Sequence, residues 1–298
     1  MGVKQSVVED NLKIREIFME RKKITITDLQ NKKRDKKKIT MLTAYDYPMA
    51  RIIDDAGIDS ILVGDSLGMV VLGYDSTVPV TMDEMIHHAK AVRRGTKYAF
   101  LVGDMPFMSY QVSVEEAVRN AGRFMKEAGC DAVKLEGGDE VAEVTEAIVK
   151  AGIPVLGHLG LTPQTISKLG GFKVQGKDAQ AADKILEQAL MLQKCGCFAI
   201  VLECVPDKVA KIITEKLAIP TISCGAGAHC DGQVLVTNDM VGLYDRFVPK
   251  FVKQYVKLSL LISDAVKKYK DEVEKGLFPD AEHSFTIKEE ELARFKAK

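Results

Sequence analysis

The stretch Val63-Gly64-Asp65-Ser66-Leu67-Gly68-Met69 follows the apolar residues Ile61 and Leu62 and runs into a glycine-punctuated loop. This pattern predicts a buried strand that ends at an acidic residue. Three later segments repeat the pattern, and they end at Asp104, Glu136 and Glu203. Buried carboxylates are unfavourable unless they are paired, protonated or bound to a metal. The four strand ends are therefore the first candidates for a functional site.

Length, charge and cysteine usage limit the possible classes of protein. The chain has 298 residues, with 42 basic residues balanced by 42 acidic residues, so charge does not favour a nucleic-acid or anionic-membrane partner. No apolar run approaches the roughly 20 residues of a membrane span. Residues 1–6 fit an N-myristoylation pattern, although patterns this short occur by chance. The six cysteines show no pairing framework, and we expect buried thiols in a cytoplasmic protein.

From Ile39 onward, short apolar runs alternate with amphipathic helical stretches, which predicts βα units and a parallel sheet. The predicted strands are 39–44, 60–64, 98–104, 132–136, 154–159, 199–203, 220–224 and 234–236. The predicted helices are 48–56, 82–94, 113–128, 139–150, 179–194, 207–217 and 250–275. Eight such units fit an α/β fold of the (β/α)8 TIM barrel class. A doubly wound open sheet is the alternative, but no dinucleotide fingerprint follows the first strand.

Three regions are predicted along the chain: an N-terminal arm over 1–38, packed on or beside the barrel, a catalytic barrel over 39–285, and a C-terminal tail over 286–298. The basic run 32–38 is predicted to be a solvated loop, because no aromatic residues are interleaved as in a nucleic-acid groove. Ser113 and Glu116 predict a capping box at a helix start.

Alternation of side chains across a strand predicts which groups point into the barrel. Lys134 and Glu136 share one face of the fourth strand, and the outer face of a barrel packs on helices, so both charges should point inward. By the same count, Asp65 should share a face with Ile61 and Val63, and Asp104 should share a face with Phe100 and Val102. Both aspartates lie at the C-terminal ends of strands, where barrel enzymes place their active sites.

Asp65, Asp104 and Glu136 end three consecutive strands about 4.8 Å apart, so they can meet in one pocket. Three unneutralised carboxylates there would repel one another, and a hard divalent cation would neutralise them. The absence of Cys or His at equivalent positions favours Mg²⁺ over Zn²⁺. Helix capping or pairing with surface lysines is the alternative.

Two further strand ends and two loops complete the candidates. Glu203 ends the sixth strand among apolar neighbours, which suits a general base. His158 ends the fifth strand and can orient a substrate oxygen, move a proton or be purely structural. The glycine-rich stretch 170–177 predicts a lid. The stretch 225–232 predicts either a phosphate loop or tight turns.

Nine segments, taken in order, resemble the ketopantoate hydroxymethyltransferase family. Two of them are Gly103-Asp104-Met105-Pro106-Phe107 and Leu202-Glu203-Cys204-Val205-Pro206. The full set is 43–46, 63–68, 103–107, 133–138, 157–164, 202–206, 225–227, 231–233 and 282–285. Ser223 and Cys224 depart from the isoleucine and glycine expected there.

The resemblance implies a barrel of the phosphoenolpyruvate/pyruvate-binding type and a homo-oligomer, usually a decamer. It implies Mg²⁺ or another divalent cation, and 5,10-methylenetetrahydrofolate as the cosubstrate. The reaction it implies is hydroxymethyl transfer to 3-methyl-2-oxobutanoate through a Mg-stabilised enolate, giving 2-dehydropantoate in pantothenate biosynthesis. The implied roles are Asp65, Asp104 and Glu136 for the metal, Glu203 for the catalytic base, and Asp65, Ser66, Asp104, Lys134 and His158 for the oxo acid.

Three alternatives stay open on the sequence. The chain can be a metal-dependent oxo-acid lyase or mutase of the same barrel superfamily. It can use Lys134 as a Schiff-base nucleophile. It can also be a non-catalytic binding protein that forms rings.

Overall fold

The computed structural model describes residues 21–166, 171, 173–244 and 246–297. Most of the predicted N-terminal arm, the myristoylation pattern and part of the predicted lid at 170–177 lie outside these residues. Two compact units make up the chain, Met1–Thr237 with Pro249–Val252 and Asn238–Val248 with Lys253–Lys298. The predicted boundaries at 38 and 285 stay predictions.

Eight parallel strands close into a barrel in sequence order. They are β1 (Ile39–Thr43), β2 (Ser60–Val63), β3 (Phe100–Asp104), β4 (Ala132–Glu136), β5 (Val155–Gly160), β6 (Ala199–Glu203), β7 (Thr221–Cys224) and β8 (Gly232–Leu235). Pairing of β1 with β8, with Met41 opposite Val234, closes the ring. The predicted (β/α)8 barrel is therefore confirmed over the open sheet.

One helix precedes the first strand, and the others lie between the strands and in the C-terminal region. They are α1 (Ile26–Arg34), α2 (Tyr47–Asp55), α3 (Leu67–Val70), α4 (Met82–Gly95), α5 (Val114–Lys126), α6 (Ala142–Lys150), α7 (Ala179–Lys194), α8 (Asp207–Lys216), α9 (Thr237–Met240), α10 (Leu258–Glu274) and α11 (Glu289–Lys296). Within the described part of the chain, none is both long and apolar enough to cross a membrane.

Side-chain caps explain where several helices begin. The Asp46 carboxylate accepts the Met49 amide at 2.8 Å, and the Asp178 carboxylate accepts the Ala181 amide at 2.8 Å. These bonds satisfy amides that have no partner within the first helical turn. At α5, the Ser113 hydroxyl accepts the Glu116 amide at 3.1 Å. This bond is one half of the predicted capping box, and the described structure shows no reciprocal bond.

Two predicted element boundaries near the C-terminus are wrong. β8 begins at Gly232 rather than at 234, and α10 begins at Leu258 rather than at 250. Residues Pro249–Val252 belong to the barrel unit instead of to a helix. There the Phe251 ring covers Gly225 so closely that a Cβ at this glycine would lie 2.6 Å from it. Phe251 therefore packs on the loop after β7 and does not belong to the predicted helix.

Alternating side chains divide the apolar core into a layer inside the barrel and a layer between strands and helices. Phe100 and Val102 belong to the inner layer, so Asp104 faces inward as predicted. Val133 and Leu135 belong to the outer layer. Lys134 and Glu136 therefore face the interior, also as predicted.

The face predicted for Asp65 is wrong. Ile61 and Val63 pack in the outer layer, and Leu62 packs inside. Asp65 nevertheless reaches the mouth of the barrel because β2 ends at Val63 and the chain then turns. The turn is held by the Gly68 amide, which donates to the Asp65 carbonyl at 2.9 Å. Strict alternation no longer applies once a strand has ended.

Lysines of the N-terminal segment bind aspartates at the N-terminal end of the barrel, which we call the floor. Lys32 Nζ lies 2.6 Å from the Asp59 carboxylate, and Lys33 Nζ lies 2.7 Å from that of Asp231. The run predicted as a solvated loop instead begins as the last turn of α1. The prediction was wrong because the aspartates that pair with these lysines are distant in sequence.

Each floor aspartate also accepts backbone amides. Asp59 precedes β2 and accepts the Thr40 amide at 2.8 Å. Asp231 precedes β8 and accepts the Thr221 amide at 2.9 Å. Asp131 precedes β4, accepts the Leu101 amide at 2.8 Å and pairs with Lys23. These carboxylates therefore link neighbouring strands at the floor.

Candidate active site

The charged residues predicted from the sequence meet at the C-terminal mouth of the barrel. Strand register places Asp104 opposite Lys134, Glu136 opposite His158, and Gly160 opposite Glu203. Four of the charged side chains are at most 5% exposed, whereas 18% of the Glu203 side chain is exposed. Glu203 is therefore the most accessible group of this set.

Lys134 is the central cation of the site. Its Nζ donates to both carboxylate oxygens of Asp104 at 2.7 Å and lies 3.6 Å from Glu136 Oε1. Burial alone would lower the pKa of Lys134, but the Asp104 and Glu136 carboxylates outweigh it and raise that pKa. Lys134 is thus held as an ammonium ion, which is not a nucleophile. This protonation counts against the Schiff-base alternative.

His158 bridges two carboxylates. Its Nδ1 lies 3.3 Å from Glu136 Oε1, and its Nε2 lies 3.2 Å from Glu203 Oε2. Neither approach has hydrogen-bond alignment, so the contacts act through charge. Burial and Lys134 lower the pKa of His158, but Glu136 and Glu203 outweigh them and raise it to about 9. His158 therefore carries a positive charge between the two acids at neutral pH.

Asp65 and Ser66 sit in the turn that follows β2. The Asp65 amide donates to Asp104 Oδ2 at 3.2 Å, which brings the ends of β2 and β3 together. The Ser66 hydroxyl lies 2.8 Å from the Tyr45 hydroxyl. A Cβ at Gly64 would lie 2.8 Å from the Ser66 hydroxyl oxygen. The glycine therefore allows Ser66 to approach the mouth.

Two buried polar residues of the site were not among the predicted site residues. The Gln164 side chain donates to Asp65 Oδ2 at 2.9 Å, and its backbone amide donates to Glu136 Oε2 at 3.1 Å. The Tyr110 hydroxyl donates to Gln164 Oε1 at 2.7 Å. The sequence signal that could have identified Gln164 is its position, four residues after the end of β5. Tyr110 lies in the loop after β3, where no periodic pattern identifies it.

The donor set fits a hard divalent cation. Asp65, Asp104, Glu136 and Glu203 bring four carboxylates to a mouth with one lysine and one histidine. Burial, with Asp104 and Glu136 adding to it, raises the pKa of Asp65 well above its ordinary value. The site is therefore short of positive charge, and carboxylate oxygens are the ligands that Mg²⁺ uses.

These side chains are not arranged as a complete metal-coordination site. In the described residues, no three His, Cys, Asp or Glu side chains surround one point as ligands. Lys134 occupies the space between Asp104 and Glu136. The predicted metal ligands are therefore brought to one mouth, and their role as ligands stays a prediction.

The other candidates from the sequence are the glycines of the loop after β7 and the six cysteines. In the loop after β7, Gly225 and Gly227 have φ angles of 72° and 85°, as tight turns require. The six cysteines are free thiols. Cys224 lies opposite Glu203 in the register, and burial together with that carboxylate raises the pKa of its thiol well above the ordinary value.

Comparison with known proteins gives the family context. A model of the ketopantoate hydroxymethyltransferase family matches residues 23–281. The 3-methyl-2-oxobutanoate hydroxymethyltransferase of Syntrophus aciditrophicus is 61% identical over 264 residues, covering 89% of this chain and 97% of that protein. The enzyme of the same name from Syntrophomonas wolfei is 59% identical over 272 residues, covering 91% of this chain and 99% of that protein.

Solved structures share the barrel at much lower identity. A 2,3-dimethylmalate lyase of the PEP mutase/isocitrate lyase superfamily aligns with a TM-score of 0.56 and 12% identity, covering 91% of this chain and 98% of that one. A phosphonopyruvate hydrolase in complex with oxalate and Mg²⁺ aligns with a TM-score of 0.56 and 11% identity, covering 92% and 97%. These likenesses concern the fold, and they agree with the closed (β/α)8 barrel of this chain.

Proposed function

The chain belongs to the ketopantoate hydroxymethyltransferase family, and from this membership we propose that it transfers a hydroxymethyl group from 5,10-methylenetetrahydrofolate to 3-methyl-2-oxobutanoate. Water completes the hydroxymethyl group, and the products are 2-dehydropantoate and tetrahydrofolate. The observation that carries the proposal is the contact chain from Glu203 through His158 and Glu136 to Lys134 at the mouth of the barrel.

Glu203 is the base in this proposal, and it removes the C3 proton of the oxo acid. Its partial exposure supports the role, because the other acids of the cluster are almost fully enclosed. His158 Nε2 lies 3.2 Å from Glu203 Oε2, so a cationic ring stands beside the proposed base.

Lys134, Ser66 and His158 hold the oxo acid in the proposed complex. The Lys134 ammonium, already paired with Asp104, offers a fixed positive charge to a substrate oxygen. The Ser66 hydroxyl, which contacts the Tyr45 hydroxyl, offers a hydrogen bond from the turn after β2. These groups place C3 beside Glu203 and leave the mouth open for the one-carbon donor.

Asp65, Asp104 and Glu136 hold a divalent cation in this proposal. When bound, Mg²⁺ supplies positive charge next to the keto and carboxylate oxygens, which acidifies C3. Gln164 keeps the Asp65 carboxylate in place through its 2.9 Å hydrogen bond. Tyr110 in turn holds Gln164 from the β3 side.

A direct assay tests the function. The purified chain is incubated with the oxo acid, Mg²⁺ and 5,10-methylenetetrahydrofolate, and both folate consumption and 2-dehydropantoate are measured. We expect both to proceed together, and a chelator such as EDTA to stop them until Mg²⁺ is restored. Conversion of the oxo acid without folate consumption would favour the lyase or mutase alternative. Binding without turnover would favour the non-catalytic alternative.

We also propose that the chain assembles into a decamer of identical copies. The helix α10 has no buried residue, and its apolar side chains Leu260, Leu261, Val266 and Tyr269 are 58–60% exposed. Apolar surface of this kind is usually covered by a partner. Analytical ultracentrifugation should give about ten times the 32.8 kDa mass of one chain. A single-chain mass at micromolar concentration would contradict the assembly.

A further inference from the structure

We propose that a cavity beside the charge cluster is the subsite for the pterin ring of the folate. The cavity has a volume of about 230 Å³ and lies between the ends of β4 and β5 and the first half of α7. Sites that enclose a whole drug-sized ligand measure roughly 300–1,000 Å³. This one can therefore take one ring system of the cosubstrate, with the tail left outside. The inference rests on the function proposed above.

The cavity borders residues that contact the strand end carrying the proposed base. Its wall includes Gly160, which pairs with Glu203, and Gly137, which follows Glu136 in sequence. A Cβ at Gly160 would lie 2.2 Å from the Glu203 carbonyl oxygen. Gln175, also in the wall, donates its amide to the Cys204 carbonyl at 2.9 Å. The cavity therefore adjoins the backbone at the end of β6, the strand that carries the base.

The lining suits a flat heterocycle with polar edges. Leu159 and Ile185 are both buried and supply apolar surface for the ring faces. Gln175 and Gln188 supply side-chain amides, which both donate and accept hydrogen bonds. Ring stacking between aliphatic walls with a few polar contacts at the edge is the usual plan of a small-molecule site.

Glu140 supplies the feature that selects a pterin. Its Oε1 lies 3.1 Å from the position a Cβ would take on Gly137, so the carboxylate reaches back over the end of β4. Among the described residues, this carboxylate has no hydrogen-bond partner. A pterin carries a 2-amino group beside a ring N–H, and this donor pair matches the two oxygens of a carboxylate as a guanidinium does.

A second cavity is a poorer candidate. It has about 420 Å³ and is lined by residues that follow β2 and β3, among them Val80, Pro106 and Met108. Its lining includes neither a residue next to Glu203 nor one next to His158. A ring bound there would lie on the side of Asp65 and Asp104.

Two substitutions test the subsite. Glu140→Gln removes the charge that accepts the donor pair, and Ala181→Phe fills the cavity from α7. We expect each to raise the KM for 5,10-methylenetetrahydrofolate by about 10- to 100-fold, the range for a hydrogen bond to a charged group. Proton exchange at C3 of the oxo acid, measured without folate, reports whether each variant barrel is intact.

Glu143→Gln is the matched control, because Glu143 is exposed on α6 and does not line the cavity. An unchanged KM for the folate in both test variants, with active wild-type protein, would overturn the subsite and leave the function standing. A wild-type chain that exchanges the C3 proton but never consumes folate would instead overturn the proposed function. The two failures are therefore distinguishable.

Discussion

Replacing Glu203 with glutamine is expected to slow proton exchange at C3 of 3-methyl-2-oxobutanoate by about 10²- to 10⁴-fold, the usual contribution of a general base. Glutamine keeps the size of the side chain and its position beside His158, but it cannot accept the proton. Because the other charged groups of the cluster remain, oxo-acid binding should be nearly intact. Exchange is followed by NMR in D₂O, and binding by calorimetry.

The matched control is Glu215→Gln, which alters an exposed carboxylate on α8 that lies 3.9 Å from Lys211. It should exchange the C3 proton at the wild-type rate. If Glu203→Gln exchanges as fast as this control, Glu203 is not the base. Loss of both binding and exchange would show that Glu203 holds the substrate instead.

Replacing Lys134 with methionine is expected to lower the free energy of unfolding by about 3–5 kcal/mol, the cost of removing one partner of a buried ion pair. The Asp104 carboxylate would lose both of its 2.7 Å bonds to Nζ, and Glu136 would keep only His158 of its two neighbouring cations. Catalysis should fail as well, because the fixed charge for the substrate oxygen is gone. Urea unfolding followed by circular dichroism measures the stability.

Lys150→Met provides the comparison, since Lys150 forms an exposed pair with Glu146 on α6. Surface pairs contribute about 0–1 kcal/mol, so this variant should unfold nearly as the wild type does. Equal stability of the two variants would mean that the carboxylates at the mouth do not depend on Lys134. The charge balance described for the site would then be wrong.

The sequence predicted the parts of the fold that depend on local periodicity. β4 and β6 were placed at their observed bounds, and α7 was too, because apolar spacing and flanking breakers define them. Alternation also placed Lys134 and Glu136 inside the barrel. It failed for Asp65, because the strand stops at Val63 and the following turn resets the direction of the side chain.

Contacts between residues that are distant in sequence could not be predicted from local periodicity. The sequence predicted that the lysines at the end of α1 are solvated, but in the folded chain they pair with Asp59 and Asp231. Gln164 and Tyr110 join the site through hydrogen bonds across strands, and neither bond has a local signature. Phe251, which lies in the stretch predicted as helix, packs on Gly225. Each of these depends on residues that are distant in sequence.

The floor lysines have a consequence for how enzymes of this kind can diverge. At the floor, the carboxylates of Asp59 and Asp231 are satisfied by lysines and by amides of neighbouring strands. At the mouth, the acids at the ends of β2, β3, β4 and β6 compete for one lysine and one histidine. Substitutions at the mouth can therefore alter reactivity without breaking the contacts that set strand register at the floor. In this chain, residues that hold the barrel together and residues that can change its chemistry lie at opposite ends of the barrel.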